Sequence, residues 1–250
     1  MHRIGWVWPS VFALLSVLLA ASVSTAQTAT TPSEKQLQSD IARKIAGLKL
    51  RSSRVVVDVH DHTVRLDGMV PTLWAKRQVI DLAHKTAGVQ NVESTLEIAR
   101  AESDAKLAAA VSHELQQYPR MTVYDIFAGA VRDGVVTLTG AVTDPSKTNE
   151  IIERIEKILG VQAIKSTVKE LPVSPLDDRI RVAIAGQIYG DALFENYSRA
   201  NPPIRVIVEN GHVTLVGFVQ SEVERRKAEA VARMVPGVFS VDDQIQLASK

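Results

Sequence analysis

The sequence contains no cysteine and few aromatic residues. Its 250 residues include three tryptophans, four tyrosines and five phenylalanines, which together make up 5% of the chain. The absence of cysteine excludes a disulfide framework, a thiol nucleophile, cysteine-ligated zinc and a cysteine-held iron-sulfur cluster. Because aromatic side chains are scarce, a cluster of several of them is informative.

The chain also has little net charge. Its 29 lysines and arginines oppose 28 aspartates and glutamates, which gives a formal charge of +1. A nearly neutral protein is a poor general binder of nucleic acid, since neutralised phosphates supply most non-specific affinity. With 46% hydrophobic and 23% charged residues, the composition is that of an ordinary globular protein. We therefore expect no nucleic-acid partner.

The first 26 residues have the pattern of a secretory signal peptide. A basic start at Met1–Arg3 precedes an apolar run over residues 11–21, and the small residues Ser24 and Ala26 lead to a cleavage site. The apolar run is about half of the ~20 residues that a bilayer span requires. We therefore predict cleavage after Ala26 rather than a retained membrane anchor.

The predicted mature protein begins at Gln27. A lipoprotein would require a cysteine at this position, so the sequence predicts an exported periplasmic protein that is not a lipoprotein. Residues 27–33 are small and polar, which favours a flexible lead-in to the first folded unit.

Three segments of the chain repeat one pattern, without gaps from their first strand onward. Each contains a Val-x-Leu-x-Gly stretch, and these stretches end at Gly68, Gly140 and Gly217. Twenty residues after each of these anchor glycines comes a Gly-Val pair, beginning at Gly88, Gly160 and Gly237. The same pair at the same spacing indicates three copies of one structural unit.

Each copy is predicted to fold as an α-β-β-α-β unit. It opens with apolar residues at helical spacing, namely Leu37, Ile41, Ile45 and Leu48; then Leu107, Val111 and Leu115; then Leu176, Ile180, Ile184 and Ile188. An alternating strand and a tight turn follow, and the turn contains Asp-Gly or Asn-Gly in the second and third copies. In the first copy His60-Asp61-His62 form a weaker turn.

In the second half of each unit, a capping residue indicates where a second helix begins. Four residues after each anchor glycine stands a residue that can cap a helix N-terminus, namely Thr72, Asp144 or Ser221. The Gly-Val pair is expected to end this second helix, with glycine as its left-handed cap. A short strand completes the unit.

The predicted fold class is α+β, with three tandem units that each form a three-stranded mixed sheet with two helices on one face. The expected domains are residues 34–100, 101–172 and 173–250. Because a unit of this size is near the lower limit for independent folding, we expect the units to pack against one another.

These motifs resemble the BON domain, named for bacterial osmotically inducible and nodulation proteins. The resemblance covers nearly all of the predicted mature chain, three times. It departs in the first copy, which lacks a turn glycine, and in the second, where Gly129 interrupts the first strand. The third copy also has an insertion from Tyr189 to Pro203.

The resemblance implies a non-enzymatic envelope protein. Its expected partners are a phospholipid membrane surface or envelope proteins, in osmotic-stress protection or envelope integrity. The alternative is a soluble periplasmic holdase-like chaperone that binds unfolded clients. No cofactor, metal or small-molecule substrate is expected.

Motifs of catalysis are not found in the sequence. There is no Gly-x-Ser-x-Gly elbow, no phosphate-binding loop and no His-Glu-x-x-His. His60 and His62 alone have the spacing of metal ligands, but three or four convergent ligands are needed, so a solvated hairpin tip is favoured.

Two places are predicted to contact a membrane or partner. The first is Trp74 with Lys76 and Arg77, in a copy that has 11 basic and 8 acidic residues. The second is the third-copy insertion, which contains Tyr189, Leu193, Phe194 and Tyr197. Two interpretations of the insertion stay open: a loop folded over the sheet edge, or an exposed aromatic loop.

Overall fold

The computed structural model describes residues 33–99, 102–197 and 202–248. The predicted leader, residues 1–26, lies outside these residues, as does most of the predicted lead-in. The described residues form three α/β domains, each with the predicted α-β-β-α-β order. The predicted fold class is therefore confirmed.

Domain 1 shows the plan of all three domains. It consists of α1 (Glu34–Gly47), β1 (Arg54–His60), β2 (Thr63–Val70), α2 (Leu73–His84), β3 (Asn91–Ser94) and β4 (Glu97–Ile98). The strands β1 and β2 form an antiparallel hairpin, and β3 and β4 both pair in parallel with β2. The predicted final strand is thus divided into two short strands in this domain.

Domains 2 and 3 repeat this plan with an undivided final strand. Domain 2 consists of α3 (Asp104–Gln116), β5 (Ile126–Arg132), β6 (Val135–Val142), α4 (Ser146–Glu156) and β7 (Ala163–Glu170). Domain 3 consists of α5 (Pro175–Gly190), a 3₁₀ helix (Ala192–Phe194), β8 (Ile204–Glu209), β9 (His212–Val219), α6 (Glu222–Met234) and β10 (Ser240–Leu247). The central strands β6 and β9 pair antiparallel with the preceding strand and parallel with the last one.

The helices bury the apolar faces that their spacing predicts. The buried members are Leu37, Ile41 and Ile45; Leu107, Val111 and Leu115; and Ile180, Ile184 and Ile188. Each such side chain contributes about 1.5–3 kcal/mol when fully buried. Leu176, predicted as the first member of the third set, is instead 40% exposed because it lies in the first turn of α5 at one end of the domain.

Two of the three predicted helix caps lie where the sequence places them. The Thr72 hydroxyl accepts a hydrogen bond from the Ala75 N–H, and the Ser221 hydroxyl accepts one from the Glu224 N–H. In domain 2 the helix begins at Ser146, one residue after Pro145. Asp144 still accepts a hydrogen bond from the Ser146 N–H, at 2.9 Å, so it satisfies a free donor of the first turn.

The anchor glycines allow the second strand of each hairpin to approach the first strand closely. Their φ angles are 119° at Gly68, 140° at Gly140 and 144° at Gly217. A Cβ atom at these positions would lie 2.0, 1.9 and 1.8 Å from the carbonyl oxygens of Arg54, Ile126 and Pro203, which lie at or just before the start of the first hairpin strand. Only glycine fits such a contact with such a backbone conformation.

The glycines of the Gly-Val pairs lie in turns and not at the helix ends, so the sequence interpretation was wrong on this point. The helices end earlier, at His84, Glu156 and Met234. The N–H of the valine after each glycine donates to the carbonyl three residues before it, at Thr86, Ile158 or Val235. A φ of 88° to 94° at the glycine suits the third position of a type II turn. In domain 3 Pro236 occupies the second position, where it cannot continue a helix.

A carboxylate at the start of the first helix holds each hairpin turn. Asp104 accepts from the N–H groups of Asp133 and Gly134 at 2.7 and 2.9 Å. Asp177 accepts from Asn210 and Gly211 at 2.8 Å each, and Glu34 accepts from Asp61 at 2.8 Å. Sequence analysis did not identify these contacts, since the partners are about 30 residues apart.

The turn of domain 1 has the same backbone as the other two turns. Asp61 and His62 have φ angles of 46° and 59°, as the Asp133-Gly134 and Asn210-Gly211 turns have two positive values each. This is the signature of a type I′ turn. The missing glycine therefore does not alter the turn.

We predict that replacing Gly140 with Val lowers the free energy of unfolding by about 2–4 kcal/mol, because the new side chain meets the Ile126 carbonyl. The measurement is urea unfolding followed by circular dichroism. Thr139→Val, at the exposed neighbouring strand position, is the control and should change stability by less than about 1 kcal/mol. Equal stability of the two variants would contradict the role of the glycine.

Candidate functional site: domain junctions and an apolar end

Trp74 and Arg77 lie at the contact between domains 1 and 2. The Arg77 guanidinium donates to Glu156 Oε1 at 2.9 Å, and the Lys157 ammonium lies 5.9 Å from the centre of the Trp74 ring. Such a distance permits a cation–π interaction. These two residues thus have partners in the neighbouring domain, although 44% of the Arg77 side chain stays exposed, and contact of Trp74, Lys76 and Arg77 with a membrane or an outside partner stays a prediction. Lys76, between them in sequence, is half-buried.

The same junction includes Gln162 of domain 2. Its amide Nε2 donates to the carbonyl of Ile98, at the end of β4, at 3.2 Å. Burial raises the pKa of Glu156, and the charge of Arg77 opposes this shift. The end of domain 2 that carries the C-terminus of α4 thus docks on domain 1.

Domain 3 joins domain 2 through a different contact. The segment before β5 runs along the outer edge of β8, where the Val206 N–H donates to the Val123 carbonyl at 2.8 Å. The Arg205 guanidinium donates to the Thr122 carbonyl at 3.0 Å, and Val123 and Tyr124 pack against the core of domain 3. A piece of domain 2 thus extends the sheet of domain 3 by one short strand-like segment.

A buried ion pair fixes this segment. Asp125 is fully buried and accepts hydrogen bonds from Lys147 Nζ at 2.6 Å and from both the N–H and hydroxyl groups of Thr122 and Thr143. Burial alone raises the pKa of the Asp125 carboxyl, but the hydrogen bonds from Lys147 and the threonines outweigh it and hold this pKa below its usual value. The carboxylate is therefore ionised and saturated with donors.

Of the aromatic residues of the third-copy insertion, Phe194 is part of the core of domain 3, and Tyr189 and Tyr197 pack against that core. Phe194 is 1% exposed, and the Tyr189 hydroxyl donates to the Ile204 carbonyl at 2.7 Å. The Tyr197 hydroxyl donates to Glu224 at 2.6 Å. Burial raises the pKa of Tyr189 to about 12. Residues 189–197 of the insertion thus fold against the domain, with Tyr189 and Tyr197 half-buried and Leu193 37% exposed.

Three large apolar side chains remain uncovered at the hairpin end of domain 3. Leu176, Met234 and Phe239 are 40%, 79% and 73% exposed, and we call this surface the domain 3 tip. The Phe239 ring lies over the hairpin turn, with its centre 6.0 Å from that of His212. Leu176 lies beside the turn at Gly237. The sequence analysis did not identify this tip, although an alignment of the three repeats indicates it.

That signal is the register of the repeats. Two residues after the glycine of the Gly-Val pair stand Gln90, Gln162 and Phe239, and three residues before it stand Lys85, Lys157 and Met234. The backbone at the first of these positions is the same in all copies, because its N–H donates to the hairpin-turn carbonyl of His62, Gly134 or Gly211. Domain 3 is thus apolar at two positions where the other domains are polar.

The histidines of the first hairpin turn have structural surroundings. His62 Nδ1 lies 3.0 Å from the Gly88 carbonyl, and the exposed His60 lies 3.7 Å from Asp58. Within residues 33–99, 102–197 and 202–248 there is no group of three or more His, Asp or Glu side chains placed to hold a metal ion. In the same residues no helix has the length and hydropathy of a membrane span.

Comparison with protein families identifies the repeated unit. The BON domain model matches residues 33–100, 103–171 and 177–249, which correspond to domains 1, 2 and 3. The chain therefore belongs to the BON domain family, as the repeated motifs predict. A search of curated proteins gave no significant match.

Two solved structures illustrate the comparison with known folds. The first is CdsD, a structural protein of the type III secretion system of Chlamydia trachomatis, with 14% identity, a TM-score of 0.25 and coverage of 84% of this chain and 92% of that one. The second is the periplasmic domain of the type III secretion inner-membrane protein PrgH from S. typhimurium, with 17% identity, a TM-score of 0.22 and coverage of 84% and 100%. Similarities at this level carry no argument about function.

The Asp125–Lys147 pair gives a testable consequence for stability. Asp125→Asn should lower the free energy of unfolding at pH 7 by about 3 kcal/mol or more, since it leaves a buried ammonium without its counter-ion. Because the folded-state pKa of Asp125 is lowered, its contribution is present above the unfolded pKa of about 3.9 and is lost as the pH falls through the folded value.

Urea unfolding of both proteins between pH 7 and pH 2 measures this effect. The gap between the wild type and Asp125→Asn should shrink toward the acid end. The double variant Asp125→Asn/Lys147→Met is the control, and it should be more stable than the single variant at pH 7 because no charge remains buried. A gap that does not depend on pH would contradict the assignment.

Proposed function

We propose that this protein is a non-enzymatic component of the cell envelope that associates reversibly with a phospholipid surface through the domain 3 tip. The observation that carries the proposal is the exposure of Leu176, Met234 and Phe239 at one end of domain 3, where Leu176 lies at Gly237 and Phe239 at Gly211. Exposed clusters of large apolar side chains on a soluble domain are typical of interaction sites. BON family membership and the predicted leader support an envelope location, with a role in osmotic-stress protection or envelope integrity.

The comparison between domains 2 and 3 supports a partner outside the chain. At the tip positions domain 2 has Lys157 and Gln162, and both contact domain 1. Domain 3 has Met234 and Phe239 there, and domains 1 and 2 leave these side chains exposed. Between these two domains, the same end of the fold is thus polar in domain 2, where it meets a folded neighbour, and apolar in domain 3, where it is uncovered. An apolar partner such as the acyl region of a membrane fits this difference.

The size of the tip predicts weak and reversible binding. Burial of one phenylalanine or methionine side chain contributes about 1.5–3 kcal/mol, so insertion of both contributes about 3–6 kcal/mol. Such energies correspond to dissociation constants of roughly millimolar to tens of micromolar. Domain 1, with 11 basic and 8 acidic residues, would add attraction to anionic headgroups of about 1 kcal/mol for each cation near the surface.

We expect Met234→Ser/Phe239→Ser to weaken binding to phosphatidylglycerol-containing vesicles by roughly tenfold or more, at low and high salt alike. The loss does not depend on salt because apolar contact is not screened, whereas screening at 0.15 M limits charge attraction to about 8 Å. Co-sedimentation with vesicles of phosphatidylglycerol and phosphatidylcholine measures it. The matched control is Val182→Ser/Val223→Ser, which removes two exposed valines of domain 3 outside the tip.

The holdase alternative is distinguished in parallel. Reduced insulin serves as the aggregating client, and light scattering reports protection. If the intact protein suppresses aggregation but does not sediment with vesicles of either composition, the lipid proposal is wrong and the chaperone function is favoured. Equal sedimentation of the tip variant and its control would also overturn the proposal, since the tip would then have no part in binding.

A further inference from the structure

A cleft of about 500 Å³ lies between domains 2 and 3 and has no role in the proposed membrane contact. One wall is β5, the edge strand of the domain 2 sheet, together with Leu115 and Met121. The opposite wall is the domain 3 sheet, with Val216, Phe218, the amide side chains of Gln244 and Gln246, and the half-buried Arg205, whose guanidinium donates to the Thr122 carbonyl. The cleft thus combines the edge strand of a sheet, apolar surface, two side-chain amides and one guanidinium that already has a carbonyl partner.

The backbone of β5 points alternately toward β6 and toward the cleft. The residues that flank a two-residue turn exchange both hydrogen bonds, so Arg132 and Val135 form such a pair. Counting back from Arg132, the N–H and C=O groups of Phe127, Gly129 and Val131 point away from β6. The same count in domain 3 places the Val206 N–H outward, and its bond to Val123 agrees with this.

Gly129 and its counterparts show how these outer edges are occupied. Val57, Gly129 and Val206 each stand eleven residues before the anchor glycine. In domain 1 the Val57 carbonyl accepts from the Gln38 side chain at 2.6 Å, and in domain 3 the Val206 N–H donates to the extended segment at Val123. In domain 2, among the described residues, no backbone or side-chain group bonds to the outer edge at Gly129, which instead lines the cleft.

We infer that the cleft binds an extended segment of another polypeptide, which adds to β5 as a fourth strand. The homologous edge in domain 3 already holds an extended segment, at Val123, which indicates the kind of occupant that this edge accepts. The exposed residues Ala128, Gly129 and Ala130 leave the edge without the lysine or proline that blocks strand addition in many proteins. Strand addition draws its affinity from main-chain hydrogen bonds.

Side chains of the bound segment would meet both walls. Alternate residues of a strand point to opposite sides, so apolar residues on one side would cover Phe218, which is 56% exposed, and Val216. The carboxamides of Gln244 and Gln246 can donate to and accept from a peptide backbone. Because the wall contributed by domain 3 is mainly apolar and amide-lined, and its guanidinium at Arg205 already donates to the Thr122 carbonyl, the preferred segment has apolar residues at alternate positions.

The test is fluorescence anisotropy of the intact mature protein with a fluorescein-labelled peptide in which valine and threonine alternate between terminal lysines. Saturable binding is expected. N-methylation of every second amide should weaken binding by tenfold or more, since it removes the donors of one strand edge. Phe218→Ser should weaken it by about fivefold, whereas Val56→Ser, an equally exposed position on the outer sheet face of domain 1, should leave it unchanged.

The outcomes separate this site from the membrane-binding tip. Met234→Ser/Phe239→Ser should bind the peptide normally, so loss of lipid binding and loss of peptide binding are independent results. Equal binding of the methylated and unmethylated peptides would overturn strand addition. Absence of saturable binding, or equal binding by Phe218→Ser and the wild type, would overturn the cleft as the site.

Discussion

All three domains depend on one constraint, which is the close contact between the anchor glycine and a backbone carbonyl at or just before the start of the first hairpin strand. At Gly68, Gly140 and Gly217 a Cβ would lie no more than 2.0 Å from that oxygen, so the hairpin closes in one register only. The carboxylates of Glu34, Asp104 and Asp177 then hold the hairpin turn against the first helix. A position counted from the glycine therefore occupies the same place in every domain.

Because the three domains share one backbone, a difference in residue type at equivalent positions indicates a difference in function. At one end of the fold, Lys157 and Gln162 join domain 2 to domain 1, whereas Met234 and Phe239 leave the same end of domain 3 apolar and exposed. At the edge strand, Val57 and Val206 have partners and Gly129 faces a cleft. One fold thus supplies internal junctions in some copies and open surfaces in others.

The sequence predicts what depends on local pattern. Helical spacing at Leu107, Val111 and Leu115, the turn residues, and the positive φ of the glycines are all consequences of short-range geometry, and the structure has them. The contacts between domains could not be predicted in this way, because residues such as Arg77 and Glu156, which form an ion pair, are 79 positions apart in the sequence. Aromatic clustering near Phe194 was equally compatible with a core or a surface, since composition does not report burial. The domain 3 tip was accessible to sequence analysis only by comparing Phe239 with Gln90 and Gln162 in register.

The most direct test of the central claim is hydrogen–deuterium exchange of residues 27–250 with and without phosphatidylglycerol vesicles. Because a membrane surface excludes water from the backbone it covers, the account predicts slower exchange in residues 234–240 and in the first turn of α5. The corresponding turn of domain 2, residues 157–163, should exchange at the same rate in both conditions, since domain 1 already contacts it. Protection of domain 1 or 2 in bound protein, with residues 234–240 unchanged, would contradict the account.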